Sequence, residues 1–292
     1  MTENTIPVTG ATGTLGRPLV ELLVAEGAAV RAVSRAPHGA RLPAEAEVVE
    51  GDPSRPGTLA RHLDGVTAVF LHSRAIGESA GELLALARER GAGRVVALSA
   101  TNIDEPLDRQ PSRYRGDRNK ESEAAAVASG LSWTSLRAGP FASNAVQAWA
   151  AQIRAGDTVR YVSASFREVP LDDRDLVEVA ARALLTDELA GRRAELTGPQ
   201  ALAHEEMVAI IGAAIGRPLR LQEVPQEAFE QGMIRNGLPE PFVRALLDRY
   251  VRNVPEPVTD EVAKILGRPA RTFAEWAADH ARLFARGPDD ND

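Results

Sequence analysis

The 292-residue sequence predicts an α/β fold, a doubly wound parallel sheet with a smaller, mostly helical C-terminal region. Three observations predict it. Short β-branched runs alternate with helical patterns through about residue 137, as βαβ units of a parallel sheet do. A turn with glycines at Gly10, Gly13 and Gly16 follows the first run. Beyond about residue 140 the alternation weakens, and helical stretches broken by prolines take over.

Residues 5–9 read as a short buried strand ending at Gly10, with Pro7 awkward there because it cannot donate to a central ladder. Leu15, Leu19, Leu22, Leu23 and Ala25 then recur at helical spacing over residues 15–27. Strands are expected at 28–35, 47–50, 67–72, 94–99 and 133–137, and helices at 58–63, 78–91 and 117–129. Right-handed crossovers between them give a doubly wound sheet whose ligands bind beyond the carboxyl ends of the strands. Further helix is expected at 204–215 and through most of 226–286, broken by Pro239, Pro241, Pro255, Pro257 and Pro269. Residues 1–145 are thus expected to form a dinucleotide-binding domain. Residues 146–286 form a substrate-binding region with later sheet strands returning to the first domain, and 287–292 a disordered acidic tail.

Composition narrows the function classes. The chain has no Cys, hence no disulfide, thiol nucleophile or cysteine metal site. A formal net charge of -7 argues against a nucleic-acid surface. No charged-then-apolar leader and no run of 18 apolar residues is present, so a cytoplasmic protein without a membrane partner is expected. No His/Asp/Glu spacing suggests a metal, and no Gly-x-Ser-x-Gly elbow suggests hydrolysis. Only Lys120 and Lys264 are lysines, so chemistry needing a tunable ammonium has two candidates.

The turn Gly10-Ala11-Thr12-Gly13-Thr14-Leu15-Gly16 has the context of a Rossmann-type pyrophosphate site: strand before, amphipathic helix after. Gly10 reverses the chain, Gly13 leaves room for phosphate, and Gly16 lets helix and strand pack closely. Thr12 and Thr14 add hydroxyls, and Leu15 opens the helix whose free N–H groups face the anion. Gly16-Arg17-Pro18 excludes the Gly-Lys-Ser/Thr loop of nucleotide hydrolases. The second strand ends Val33-Ser34-Arg35, without the acid that accepts from an NAD ribose. A hydroxyl and a guanidinium suit a 2′-phosphate, so NADP(H) is expected over NAD(H). Asp52 either accepts from the adenine amino group or forms a turn. His72, at the end of the fourth strand, faces the cofactor region and either binds the cofactor, donates a proton, or is a satisfied strand-end histidine.

These motifs, with Leu98-Ser99-Ala100, the segment Ser129 to Phe141 through Asn144, and Val169 to Asp175, resemble the NmrA-like branch of the atypical short-chain dehydrogenases/reductases. That branch holds NADPH-dependent ketone, quinone, azo and enone-ether reductases, and also redox sensors that bind NADP without turning it over. The resemblance puts Ser99 near the nicotinamide, hydrogen-bonding a substrate carbonyl. It puts Lys120 on the nicotinamide ribose, where an ammonium also polarises a carbonyl. The superfamily's Tyr-x-x-x-Lys pair is absent, since Tyr114 is followed by Arg118; Tyr114 then packs on substrate beside the site. Phe141 and Asn144 line the junction of nicotinamide and substrate. The resulting expectation is a monomeric or homodimeric NADPH-dependent reductase of a ketone or quinone carbonyl on a hydrophobic, aromatic, natural-product-like metabolite, of the kind met in antibiotic biosynthesis. The alternative is a non-catalytic NADP(H) sensor presenting a partner surface.

Overall fold

The computed structural model describes residues 4–285; the expected tail at 287–292 lies outside the described residues. In chain order the elements are β1 (Thr5–Val8), α1 (Gly16–Ala25), β2 (Ala29–Ser34), β3 (Glu47–Glu50), β4 (Ala68–Leu71), α2 (Ser73–Ile76), α3 (Ala80–Glu89), β5 (Arg94–Ala100), α4 (Asn119–Ala128) and β6 (Ser132–Ala138). There follow α5 (Asn144–Ala155), β7 (Thr158–Tyr161), β8 (Arg167–Glu168), α6 (Asp173–Leu185), β9 (Arg192–Leu196), β10 (Leu202–Ala203), α7 (His204–Ala214), β11 (Arg220–Glu223), α8 (Gln226–Arg235), α9 (Glu240–Arg252), α10 (Glu261–Leu266) and α11 (Phe273–Asp279). The described residues fall into two compact units: 4–104, 116–138 and 176–195 form the first, and 105–115, 139–175 and 196–285 the second.

The first unit is the expected doubly wound sheet, in the order β3-β2-β1-β4-β5-β6-β9. The pairs from β3 to β6 are parallel. Strand order reverses between β1 and β4, the switch point at which ligands of such sheets bind. One side of the sheet packs Val33, Val69, Leu71, Val95 and Ala97 against Leu83, Leu84 and Ala87 of α3 and Ala126 of α4.

Pro7 does sit in a central strand, and the ladder shows how it is accommodated. Alternate residues of a parallel strand bond to alternate neighbours. Thr5 O accepts from Thr67 N (2.9 Å) and Thr9 N donates to Phe70 O (3.2 Å), both toward β4. Pro7 shares their parity, so the donor it lacks falls on that side. Accordingly β1 and β2 pair from Thr5↔Ala29 to Val8↔Ala32, whereas β1 and β4 pair at Val8↔Phe70. The Thr9 hydroxyl reinforces the seam, donating to Phe70 O (2.9 Å) and accepting from His72 N (2.7 Å).

The second unit holds α5, α7–α11 and two small sheets, β7 with β11 in parallel and β8 with β10 antiparallel. Its core is aromatic, with Trp149, Tyr161, Phe166, Tyr250, Phe273 and Trp276 buried together. The prolines act as expected: Pro239 caps α9, Pro241 lies in its first turn, and Pro255 and Pro257 fall between α9 and α10. No helix among the described residues is long and apolar enough to cross a membrane.

Candidate dinucleotide site

The glycine turn has the geometry that a pyrophosphate needs. Gly10 has φ +69, the left-handed region that favours glycine, and Gly13 N donates back to Gly10 O (3.0 Å). A methyl group at Gly16 would stand 2.1 Å from Gly10 O, so only glycine lets α1 approach β1 this closely. Inside α1, Arg17 N donates to Gly13 O (3.1 Å), Leu19 N donates to Leu15 O (3.2 Å) and Pro18 has no N–H, so the donors left for an anion are those of the turn itself. With Thr12 and Thr14 exposed and Leu15 buried beneath them, the turn presents a ready anion seat. The residues present therefore fit a dinucleotide.

The ends of β2 and β3 lie side by side through Ser34↔Glu50. Arg35 is exposed, while the Ser34 hydroxyl accepts from Ala36 N (3.1 Å) and holds the turn that carries the guanidinium. Asp52 forms a turn: its carboxylate accepts from Ser54 N (3.0 Å) and Ser54 Oγ (2.7 Å). The Ser54 hydroxyl, aided by Arg35 and Arg55, holds its pKa below the ordinary 3.8.

His72 packs directly on the turn, since a methyl group at Gly10 would meet its Cβ and Cγ at 3.1 Å. Its Nδ1 accepts from Arg74 N (3.4 Å), capping the short helix α2. Burial lowers its pKa below the ordinary 6.5, which favours the neutral ring. Arg74 in turn forks onto Asp117, Nε to Oδ1 at 3.0 Å and Nη2 to Oδ2 at 2.8 Å. Asp117 stands three residues before Lys120. A chain of contacts thus runs from Gly10 through His72 and Arg74 to the start of α4, where Lys120 is exposed.

Ser99 is placed differently from expectation. It is 3% exposed, and its hydroxyl donates into the core, to Glu123 Oε2 at 3.2 Å. In this arrangement it has no donor left for a substrate carbonyl. Glu123, buried on α4, also accepts from Arg137 through Nε (3.0 Å) and Nη2 (2.7 Å), from Arg193 Nε (2.8 Å) and from the Ser135 hydroxyl. Burial raises its pKa, but Arg137, Ser135 and Arg193 outweigh this and bring it from the ordinary 4.5 to about 2. Arg137 Nη1 donates onward to Asp104 (2.9 Å). Sequence reasoning missed this node. Its signal was Ser135 and Arg137 two apart on one strand, opposite Ala97 and Ser99 in register.

The other expected residues belong to the second unit. Tyr114 is half-buried, its hydroxyl donates to Asp108 O (3.4 Å), and its ring lines a groove with Arg109, Pro241 and Arg244. Phe141 and Asn144 are neighbours: Asn144 N donates to Phe141 O (3.0 Å), and Phe141 bridges to Leu171. Between them Ser143 donates its hydroxyl to Asp173 (2.7 Å). Burial raises the pKa of Asp173 against the effect of Ser143. Among the described residues no group of three or more His, Cys, Asp or Glu could hold a metal ion.

Comparisons with known proteins agree with the turn. A family model described as NAD(P)H-binding matches residues 10–169. The chain is 34% identical over 285 residues to the (4-alkanoyl-5-oxo-2,5-dihydrofuran-3-yl)methyl phosphate reductase of Streptomyces griseus, covering 96% of this chain and 99% of that protein. It is 31% identical over 287 residues to the NAD(P)H azoreductase of Xenophilus azovorans, again covering 96% and 99%. The fold is also that of the Escherichia coli NADPH-dependent quinone oxidoreductase solved with NADPH, with TM-score 0.79, 22% identity, and 94% and 99% of the two chains covered. From the turn, the strand order and these relatives, the chain belongs to the NAD(P)H-binding family.

Proposed function

We propose that the protein is an NADPH-dependent reductase of a ketone or quinone carbonyl on a flat, hydrophobic, natural-product-like metabolite. The observation that carries this reading is the pairing of the glycine turn with Ser34 and Arg35 at the end of β2. The relatives support it: one reduces an alkanoyl dihydrofuranone phosphate and one an azo compound, both conjugated acceptors by their names. Bound NADPH supplies the hydride. The turn's N–H groups with Thr12 and Thr14 hold the pyrophosphate, and Ser34 and Arg35 the 2′-phosphate. His72 packs behind the turn, and Asp52 shapes the rim beside Arg35. Lys120 holds the nicotinamide ribose and polarises the carbonyl. Tyr114, Phe141 and Asn144 are assigned to the substrate. With no Tyr-x-x-x-Lys pair and Ser99 engaged in the core, the proton comes from water or from the substrate's own hydroxyl. A cytoplasmic setting, where NADPH is kept reduced, fits this work.

The test mixes the protein with NADPH and a panel of quinones, aryl ketones and azo dyes, following absorbance of the reduced nicotinamide. Turnover of a quinone or ketone is expected. Tight NADP binding that changes association state, with no turnover of any acceptor, would replace the reductase by the sensor.

A further inference from the structure

The first turn of α4 carries Lys120, and Ser122 N donates to Arg118 O (2.9 Å) to close it. Arg118 at the N-cap makes no side-chain cap, and Lys120 itself is exposed. A tertiary restraint comes from Glu123, one turn on from Lys120. Its carboxylate is 5% exposed and accepts from two guanidinium groups and two hydroxyls. The donors lie on three strands: Ser99 on β5, Ser135 and Arg137 on β6, and Arg193 on β9. Arg137 pairs with it in the two-pronged geometry that gives direction as well as strength. The same Arg137 holds Asp104, where the chain leaves the first unit. The Arg74–Asp117 fork holds the point just before α4 where it has returned.

We propose that Glu123 is a positioning residue, which docks α4 on three strands through Arg137, Arg193, Ser99 and Ser135 and so sets Lys120 against the cofactor. This deepens the reductase reading and rests on the role given there to Lys120. Ser99 thereby acts on the reaction through Glu123, and not by touching substrate.

A double-mutant cycle on NADPH affinity tests it, read by emission of the reduced nicotinamide. Lys120→Met is expected to weaken NADPH binding about tenfold, the loss of one charge-assisted hydrogen bond. Glu123→Gln is expected to weaken it by a similar factor alone, and by less than about twofold in the Lys120→Met background. Full multiplication of the two losses would reduce Glu123 to a merely structural residue and overturn the proposal. An unaltered affinity in Lys120→Met would instead remove the reading of Lys120, and the proposal with it. If Glu123→Gln does not fold, Ser99→Ala takes its place. It is expected to weaken NADPH binding a few-fold only where Lys120 is present. A fall in kcat with unchanged NADPH affinity would return Ser99 to the substrate and overturn the proposal.

Discussion

At Gly16 the turn has no slack: an added methyl would fall 2.1 Å from Gly10 O and 2.7 Å from its carbonyl carbon, both backbone atoms that a rotamer change cannot move aside. Gly16→Ala must push α1 away from β1, and is expected to weaken NADPH binding by more than about tenfold while lowering the thermal midpoint by a few degrees. Titration of reduced-nicotinamide emission and a melting curve check both. Arg35 makes a prediction of a different kind. It is exposed at the end of β2, so its loss should leave the fold intact. Arg35→Ala is expected to raise KM for NADPH about tenfold or more and leave KM for NADH nearly unchanged. An equal change for both cofactors would refute its assignment to the 2′-phosphate. At this scale the turn was legible from sequence because its constraint is local, a matter of which residue lacks a Cβ. Ser99 was not, since the direction of a strand-end hydroxyl depends on Glu123, 24 residues away.

Elements differ in how plainly their sequences announce them. The strands and helices of the first unit are long enough for period 2 or period 3.6 to show, and β1 to β6 stand where expected within a residue or so. The four-residue α2 is too short to have a period; it is built by the His72 cap. The same holds for β8 and β10, two residues each, which exist only because they pair with one another. α5 was missed because Ala fills five of its twelve positions and blurs the contrast between faces. For α4 the period gave the helix but not its anchoring. Asp117→Asn breaks the fork to Arg74 and is expected to raise hydrogen exchange at residues 118–122, with β5 and β6 unchanged. Exchange followed by mass spectrometry reads this directly; faster exchange in β5 or β6 as well would show that the fork supports the sheet as a whole.

At the scale of the whole molecule, each unit buries a carboxylate with its own cations. In the second, Glu168 accepts from Arg249 (2.7 Å), which also donates to Glu256 (2.5 Å) and lies over the Phe166 ring at 5.1 Å. Breaking a buried pair from one side leaves a charge without a partner. Arg249→Leu is therefore expected to destabilise the protein by about 3–5 kcal/mol, measured by denaturant unfolding. Burial raises the pKa of Glu168, but Arg249 and His204 outweigh it and bring it from the ordinary 4.5 to about 2, as happens at Glu123. A carboxylate lowered on folding stabilises fully above its unfolded value and ceases to do so as pH falls through the folded one. Stability should thus decline between about pH 4.5 and pH 2. Glu168→Gln should start lower at pH 7 and decline less over that window; a parallel curve in an acid titration would count against it. None of this was legible, because Glu168 lies 81 residues from Arg249 in the sequence. The interleaving of the two units has a consequence for biosynthesis. The first unit recruits residues 176–195, so its sheet lacks an edge strand, and Glu123 lacks Arg193, until the nascent chain has grown well past residue 104. At translation speeds of about 5–20 residues per second, synthesis from the end of β6 at Ala138 to the end of β9 at Leu196 takes on the order of 3–12 s. Over that interval β6 is an open edge, which a chaperone can cover and a neighbouring nascent chain can misuse.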